Sequence, residues 1–249
     1  MIFHILHILL MFLAFYVPTQ TALFTTKRIT MSGVRILSTS LSSLLSNLGF
    51  DNKNTKNLPV DKDNNNYAVS RQTPNVIFAP AFPTPVTSPR LIAYSTDALE
   101  LLGLHVPDDS TDHAAFVTEI ETYFSGNKLL PGSNPVAHCY CGHQFGNFAG
   151  QLGDGAAISL GEIVNARGER WELQLKGAGL TPYSRTADGR KVLRSSVREF
   201  LCSEAMHFLH VPTTRSASCV TSSSTVQRDP FYDGGVIDEK CTVNHDQTN

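Results

Sequence analysis

Gly146-Asn-Phe-Ala-Gly150-Gln-Leu-Gly153-Asp-Gly155 begins the stretch whose reading decides the fold, and that stretch runs on to Glu199. Residues 157–164 and 171–177 alternate apolar and polar side chains, and Asn165-Ala-Arg-Gly168 between them has turn composition. A helical pattern starts near Arg190. The order is glycine-rich run, strand hairpin, helix. Glycines let backbone N–H groups come close to phosphates, and a lysine on the hairpin supplies positive charge. A helix carboxylate can hold that lysine in place. The expected fold class is α+β, an antiparallel sheet with a helix laid on it.

In Trp171-Glu-Leu-Gln-Leu-Lys176, the side chains of Trp171, Leu173 and Leu175 face one way and those of Glu172, Gln174 and Lys176 the other. If the apolar face covers the core, Lys176 points into whatever the opposite face lines. An isolated strand lysine is ordinarily a solvated one. The upstream glycine-rich run changes that reading, because the hairpin sets Lys176 beside it. Gly177-Ala-Gly179-Leu-Thr-Pro182 breaks the strand. Asp188-Gly189 reads as a turn, which could also set a carboxylate and backbone donors against a nucleotide. The helix expected over 190–210 carries an apolar stripe at Leu193, Val197, Phe200, Leu201, Ala205 and Phe208. Glu204 lies within that stripe, and Glu199 on a second side flanked by Val192 and Met206. The helical wheel leaves open which glutamate meets Lys176. A partly buried Glu199 would need a cationic partner.

The chain has 249 residues, 41% hydrophobic and 17% charged, with a formal net charge of −2. These values exclude a disordered acidic chain and a basic nucleic-acid arm. They give no long-range pull on polyanions, so a nucleotide would be held by local charge, and nucleic acid is not an expected partner. Five cysteines, an odd count without a repeated spacing, argue against a disulfide framework. His138-Cys-Tyr-Cys-Gly-His143 would bring Cys139, Cys141 and His143 to one strand face. No second ligand pair follows, so small buried thiols are the expected reading and no metal site is assigned.

Residues 1–50 contain no Asp or Glu, and residues 2–17 are almost wholly apolar. That core has signal-peptide rather than membrane-spanning length, but no basic residue precedes it. The Ser-rich, basic, acid-free run through Lys27, Arg28 and Arg35 has transit-peptide composition, and Met31 is an alternative start. Mitochondrial import is expected, with secretion as the alternative and no stable membrane insertion. Residues 1–40 are set apart as a targeting segment.

Residues 41–75 read as a polar linker around Asp61-Lys-Asp-Asn-Asn-Asn66. Pro74, Pro80, Pro83, Pro85 and Pro89 favour an extended surface segment that stays out of a central sheet position. Ser95 with Ala98, Leu99, Leu101 and Leu102 predicts a short helix ending at Gly103. Phe116, Ile120 and Phe124 predict another over 114–124.

Five runs now carry a resemblance: 138–146 (HCYCGHQFG), 150–155 (GQLGDG), 171–179 (WELQLKGAG), 188–196 (DGRKVLRSS) and 198–206 (REFLCSEAM). They closely resemble the selenoprotein O (SelO/YdiU) family, and the likeness extends over about residues 58–243. The resemblance implies a protein-kinase-like N-lobe at 76–243, an antiparallel sheet plus an αC-type helix. An N-terminal extension would precede it, a divergent tail would follow at 244–249, and the C-lobe would be missing. It implies a pseudokinase that binds ATP in a flipped pose and moves AMP, not phosphate, onto Ser, Thr or Tyr hydroxyls of protein substrates. For eukaryotic members it implies a mitochondrial location.

Carried over by position, Gly153 and Gly155 would contact the nucleotide. Lys176 would hold its phosphates with Glu199 as partner, and Asp188 and Gly189 would complete the pocket. Many bacterial members have arginine where this chain has Ala156, so the contact there is absent or comes from another group. Family members continue well beyond this length. The remainder would hold further phosphate-binding arginines, the catalytic aspartate, the asparagine and aspartate that bind Mg2+, and a C-terminal cysteine or selenocysteine. No catalytic residue is therefore expected in this chain, which is expected to be inactive alone. The alternative is a non-catalytic nucleotide-binding or regulatory fragment. A generic protein kinase ranks below both, since neither His-Arg-Asp nor Asp-Phe-Gly occurs.

Overall fold

The computed structural model describes residues 45, 48–108 and 110–248, so the targeting segment read at 1–40 lies outside the described residues. In chain order the elements are α1 (Lys53–Asn57), β1 (Phe78–Pro80), β2 (Arg90–Tyr94), α2 (Thr96–Leu101), α3 (Ser110–Phe124), β3 (Val136–Gln144), β4 (Asn147–Gly153), β5 (Ala157–Val164), β6 (Arg170–Lys176), β7 (Lys191–Val192), α4 (Leu193–Phe208), β8 (Arg215–Arg228) and β9 (Ile237–Thr248). The strands form one antiparallel sheet in the order β1-β3-β5-β6-β9-β8-β2, with β4 beside β3 and β7 beside β9. The α+β expectation holds.

Local chemistry explains the elements that position the site. The β5–β6 turn is closed by Asn165, whose Oδ1 accepts from the N–H groups of Arg167 and Glu169, each at 3.0 Å, and Gly168 takes the left-handed conformation at φ 77°. Ser95 caps α2 by accepting from Ala98 N. Phe116, Ile120 and Phe124 are fully buried along α3.

The two faces of the sheet are used differently. Trp171, Leu173 and Leu175 join Leu99, Phe116 and Phe124 in the apolar core. There the Phe124 ring stacks on His245 of β9, centroids 3.9 Å apart. The opposite face takes α4, where Asn244 Nδ2 donates to the Ser196 carbonyl at 3.0 Å.

Two expectations change. The apolar stripe of α4 is only partly its buried side: Phe200 is buried and Val197 and Ala205 half-buried, whereas Leu193, Leu201 and Phe208 are exposed. The helix also docks through polar groups. Ser196 bonds Thr242, Ser203 bonds the Thr214 carbonyl, and Glu204 meets Arg215. The proline segment keeps out of a central sheet position and joins only the outer edge as β1, where a missing N–H is tolerated. The stretch read as a linker lies along the sheet. Asp51 holds Arg170 through bonds of 2.5 and 2.7 Å, Arg71 pairs with Asp61, and buried Thr73 meets the Tyr183 hydroxyl at 2.9 Å.

Candidate functional site

Lys176 ends β6, and the strand's alternation sends its side chain to the face that carries α4. Its Nζ lies 2.8 Å from Glu199 Oε1, and the other oxygen of Glu199 lies 3.8 Å from Lys191 Nζ. The three side chains are 33%, 29% and 27% exposed, so they are largely removed from water. Burial works against the Lys176 ammonium, but the hydrogen bond and charge of Glu199 outweigh it. Its pKa is held above the ordinary lysine value, and it is a fixed positive charge at neutral pH.

Glu199, not Glu204, is the lysine's partner. Glu204 receives two 2.8 Å bonds from Arg215 and one of 2.6 Å from Ser95 Oγ. Burial pushes its carboxyl up, and Arg215 and Ser95 more than reverse that, leaving it below the usual range.

The glycine-rich run forms β4 and its exit. Phe145 and Gly146 make the β3–β4 turn, both at positive φ (54° and 82°). Gly153 and Gly155 are needed for close packing. A Cβ on Gly153 would come within 2.3 Å of the Tyr183 ring, and one on Gly155 within 2.8 Å of the Tyr183 carbonyl oxygen. Thr181 Oγ1 donates to the Asp154 carbonyl at 2.7 Å and Ser184 Oγ to the Gly155 carbonyl at 2.6 Å, fastening the 181–184 loop against the run. The Ala156 carbonyl accepts from Gly177 N at 2.7 Å, and Ala157 pairs with Lys176. The end of the run and the lysine are therefore adjacent.

Asp188 and Gly189 reach this region by the backbone. Gly179 N donates to the Gly189 carbonyl at 3.2 Å, and a Cβ on Gly189 would sit 2.0 Å from the Gly179 oxygen. The Asp188 carboxylate faces Arg228 in a bidentate pair of 2.7 and 2.8 Å, not Lys176. Burial raises its pKa, but Arg228 and the Arg190 N–H draw it below the usual range.

Sequence reasoning passed over several groups here. Asp154, between the two glycines, is half-buried. Burial raises its pKa, opposed by His138 and Lys176. His138 Nε2 lies 2.9 Å from Glu172 Oε1, and Glu172 and Asp154 raise its pKa against the effect of burial. Lys191 sits two residues past Gly189, where its β7 pairing with β9 aims it back at Glu199. The signal for Asp154 was present in the Gly-Asp-Gly run; Lys191 gives none until β7 is known.

The register shift between β3 and β4 at Cys141 and His143 puts its extra residue on β4, and Cys139 is half-buried and Cys141 exposed, not the buried thiols expected. Among the described residues no group of three or more His, Cys, Asp or Glu could hold a metal ion. A cavity of about 290 Å³ lies between the 70–72 segment, Gln151, Gly153 and Arg185, and one of about 690 Å³ borders Trp171, His210 and Arg215. Neither is lined by Lys176 or Glu199, whose pair lies outside both.

Fold and site define an antiparallel α+β protein whose strand lysine is clamped by a helix glutamate. The family model described as protein adenylyltransferase SelO matches residues 67–237, and the chain belongs to this family. It is 59% identical over 203 residues to the Mus musculus protein named protein adenylyltransferase SelO, mitochondrial, covering 80% of this chain and 30% of that one. It is 51% identical over 224 residues to the Danio rerio protein adenylyltransferase SelO-1, mitochondrial, covering 85% and 31%. Against the protein nucleotidyltransferase YdiU of Methylobacillus flagellatus it is 55% identical over 196 residues, covering 79% and 36%. The chain thus spans about a third of the length of these curated relatives.

Proposed function

We propose that this chain supplies the ATP-binding part of a protein adenylyltransferase, built as the N-lobe of a kinase-like fold over residues 76–243. The observation that carries this reading is the 2.8 Å Lys176–Glu199 pair beside the end of the glycine-rich run. In this reading Lys176 neutralises phosphate charge and Glu199 fixes the direction of its ammonium. Gly153, Gly155 and Ala156 present backbone to the nucleotide, while Asp188, held by Arg228, and Gly189 form a rigid rim. AMP would pass to Ser, Thr or Tyr hydroxyls of protein substrates.

Magnesium would clamp the polyphosphate in such a transfer. The described residues offer no ligand cluster for it, so no step is assigned to the metal, and its ligands are placed in the part of the relatives beyond the match. The chain alone is then inactive. A mitochondrial location is proposed from the names of the vertebrate relatives. No helix among the described residues is long and apolar enough to cross a membrane.

A second reading is a non-catalytic nucleotide-binding or regulatory fragment. Equilibrium ATP binding by the purified chain tests the common element. Lys176→Met should weaken binding at least about tenfold, a loss of ~1.4 kcal/mol. No ATP affinity in the unaltered chain, or no effect of the substitution, overturns the nucleotide reading. AMP transfer from labelled ATP at a rate comparable to a full-length relative would overturn the claim of inactivity.

A further inference from the structure

We infer that Lys191 is a second anchor for Glu199, and so a positioning residue that supports the Lys176–Glu199 pair when Lys176 engages a polyphosphate. The inference rests on the nucleotide reading above. Lys191 is held by backbone pairing, Lys191 with Thr242 and Val192 with Cys241. Its stem crosses over Gly177, the residue after Lys176: a Cβ there would come within 2.7 Å of Lys191 Cβ and 2.8 Å of its Cγ. The missing side chain at 177 is what lets this lysine lie down beside the β6 end. Lys176 takes one oxygen of Glu199 at 2.8 Å and Lys191 faces the other at 3.8 Å.

The charge count gives this arrangement a purpose. Lys176 feels the carboxylates of Glu199, Asp246 and Asp154. A triphosphate brought to that single ammonium would meet surplus negative charge. When a phosphate draws on the Lys176 ammonium, Glu199 shares that cation with the ligand, and a partly buried carboxylate then needs a second cation facing it. Lys191 is that cation.

Two measurements on the purified chain decide the matter. The first is a thermal-stability cycle of Lys176→Met, Lys191→Met and the double variant. Each single change leaves Glu199 one partner, so the double should lower Tm by more than the sum of the two. Additive shifts would overturn the shared anchoring. The second is binding of inorganic triphosphate. K191M should weaken it about tenfold at low salt and flatten its salt dependence, and K191R should restore both. Unchanged affinity in K191M would overturn the proposal. If the unaltered chain does not bind triphosphate, the nucleotide reading falls, while the stability cycle still decides whether Lys191 holds Glu199.

Discussion

Glu199 and Glu204 share one helix and have opposite tasks. Glu204 is 12% exposed and Arg215 5%, so theirs is a buried ion pair with added bonds from Ser95 and the Ser216 N–H. Removing one partner strands the other's charge. Glu204→Gln should cost about 3–5 kcal/mol of folding stability. Glu199 is 29% exposed, in a pair that solvent still reaches, and Glu199→Gln should cost less, about 1 kcal/mol. Urea unfolding of the two variants checks this, and equal losses would contradict the division. Lys176 was legible because period-two alternation fixes its face whatever the fold. The choice between glutamates was not, because Arg215 comes from β8 and no wheel knows what lies opposite a helix.

At the scale of elements, β9 holds the largest difference from expectation. Residues 244–248 look like a divergent polar tail, yet they form the end of β9 between β6 and β8. The side chains of Asn244, His245, Asp246 and Gln247 are buried there. Among the described residues neither ring nitrogen of His245 has a hydrogen-bond partner, and burial pulls its pKa down to about 3 from 6.5. Burial also pushes Asp246 up to about 6 from 3.8, although Ser216 donates to it. His245 thus costs nothing above pH 6.5 and more as pH falls toward 3. Asp246 costs nothing below pH 3.8 and more as pH rises to about 6, where the loss levels off at ~3 kcal/mol. The windows overlap with opposite slopes, so no pH suits both. Asp246→Asn should stabilise the chain by about 3 kcal/mol at pH 7.5 and by about half that at pH 5. His245→Val should gain more at pH 5 than at pH 7.5, by ~2 kcal/mol. Gains independent of pH would refute the assignment. Short-range patterns made β6, α3 and the β5–β6 turn readable. The end of β9 was unreadable because its place comes from two distant strands, against its own composition. The buried side of α4 was partly misread for a related reason: its outward apolar residues mimic a core stripe.

Across the whole molecule, the seven most exposed large apolar side chains among the described residues lie in three places. Phe145 (92% exposed) and Phe148 stand on the β3–β4 hairpin, Leu201, Phe208 and Leu209 on α4 and its exit, and Phe231 and Tyr232 on the β8–β9 connection. Patches of this kind promote association. The purified chain should self-associate and bind a hydrophobic dye, and Leu201→Glu with Phe208→Glu should reduce both. A monodisperse, dye-silent chain before substitution would count against this. The sheet order has another outcome. Among the described residues, strands β1, β3, β5 and β6 make one half, β8 and β2 the other, and β9 joins them. On the ribosome the first half emerges with the raw backbone of 172–176 showing, and it must wait for residues 244–248 to be translated before that seam is sewn shut.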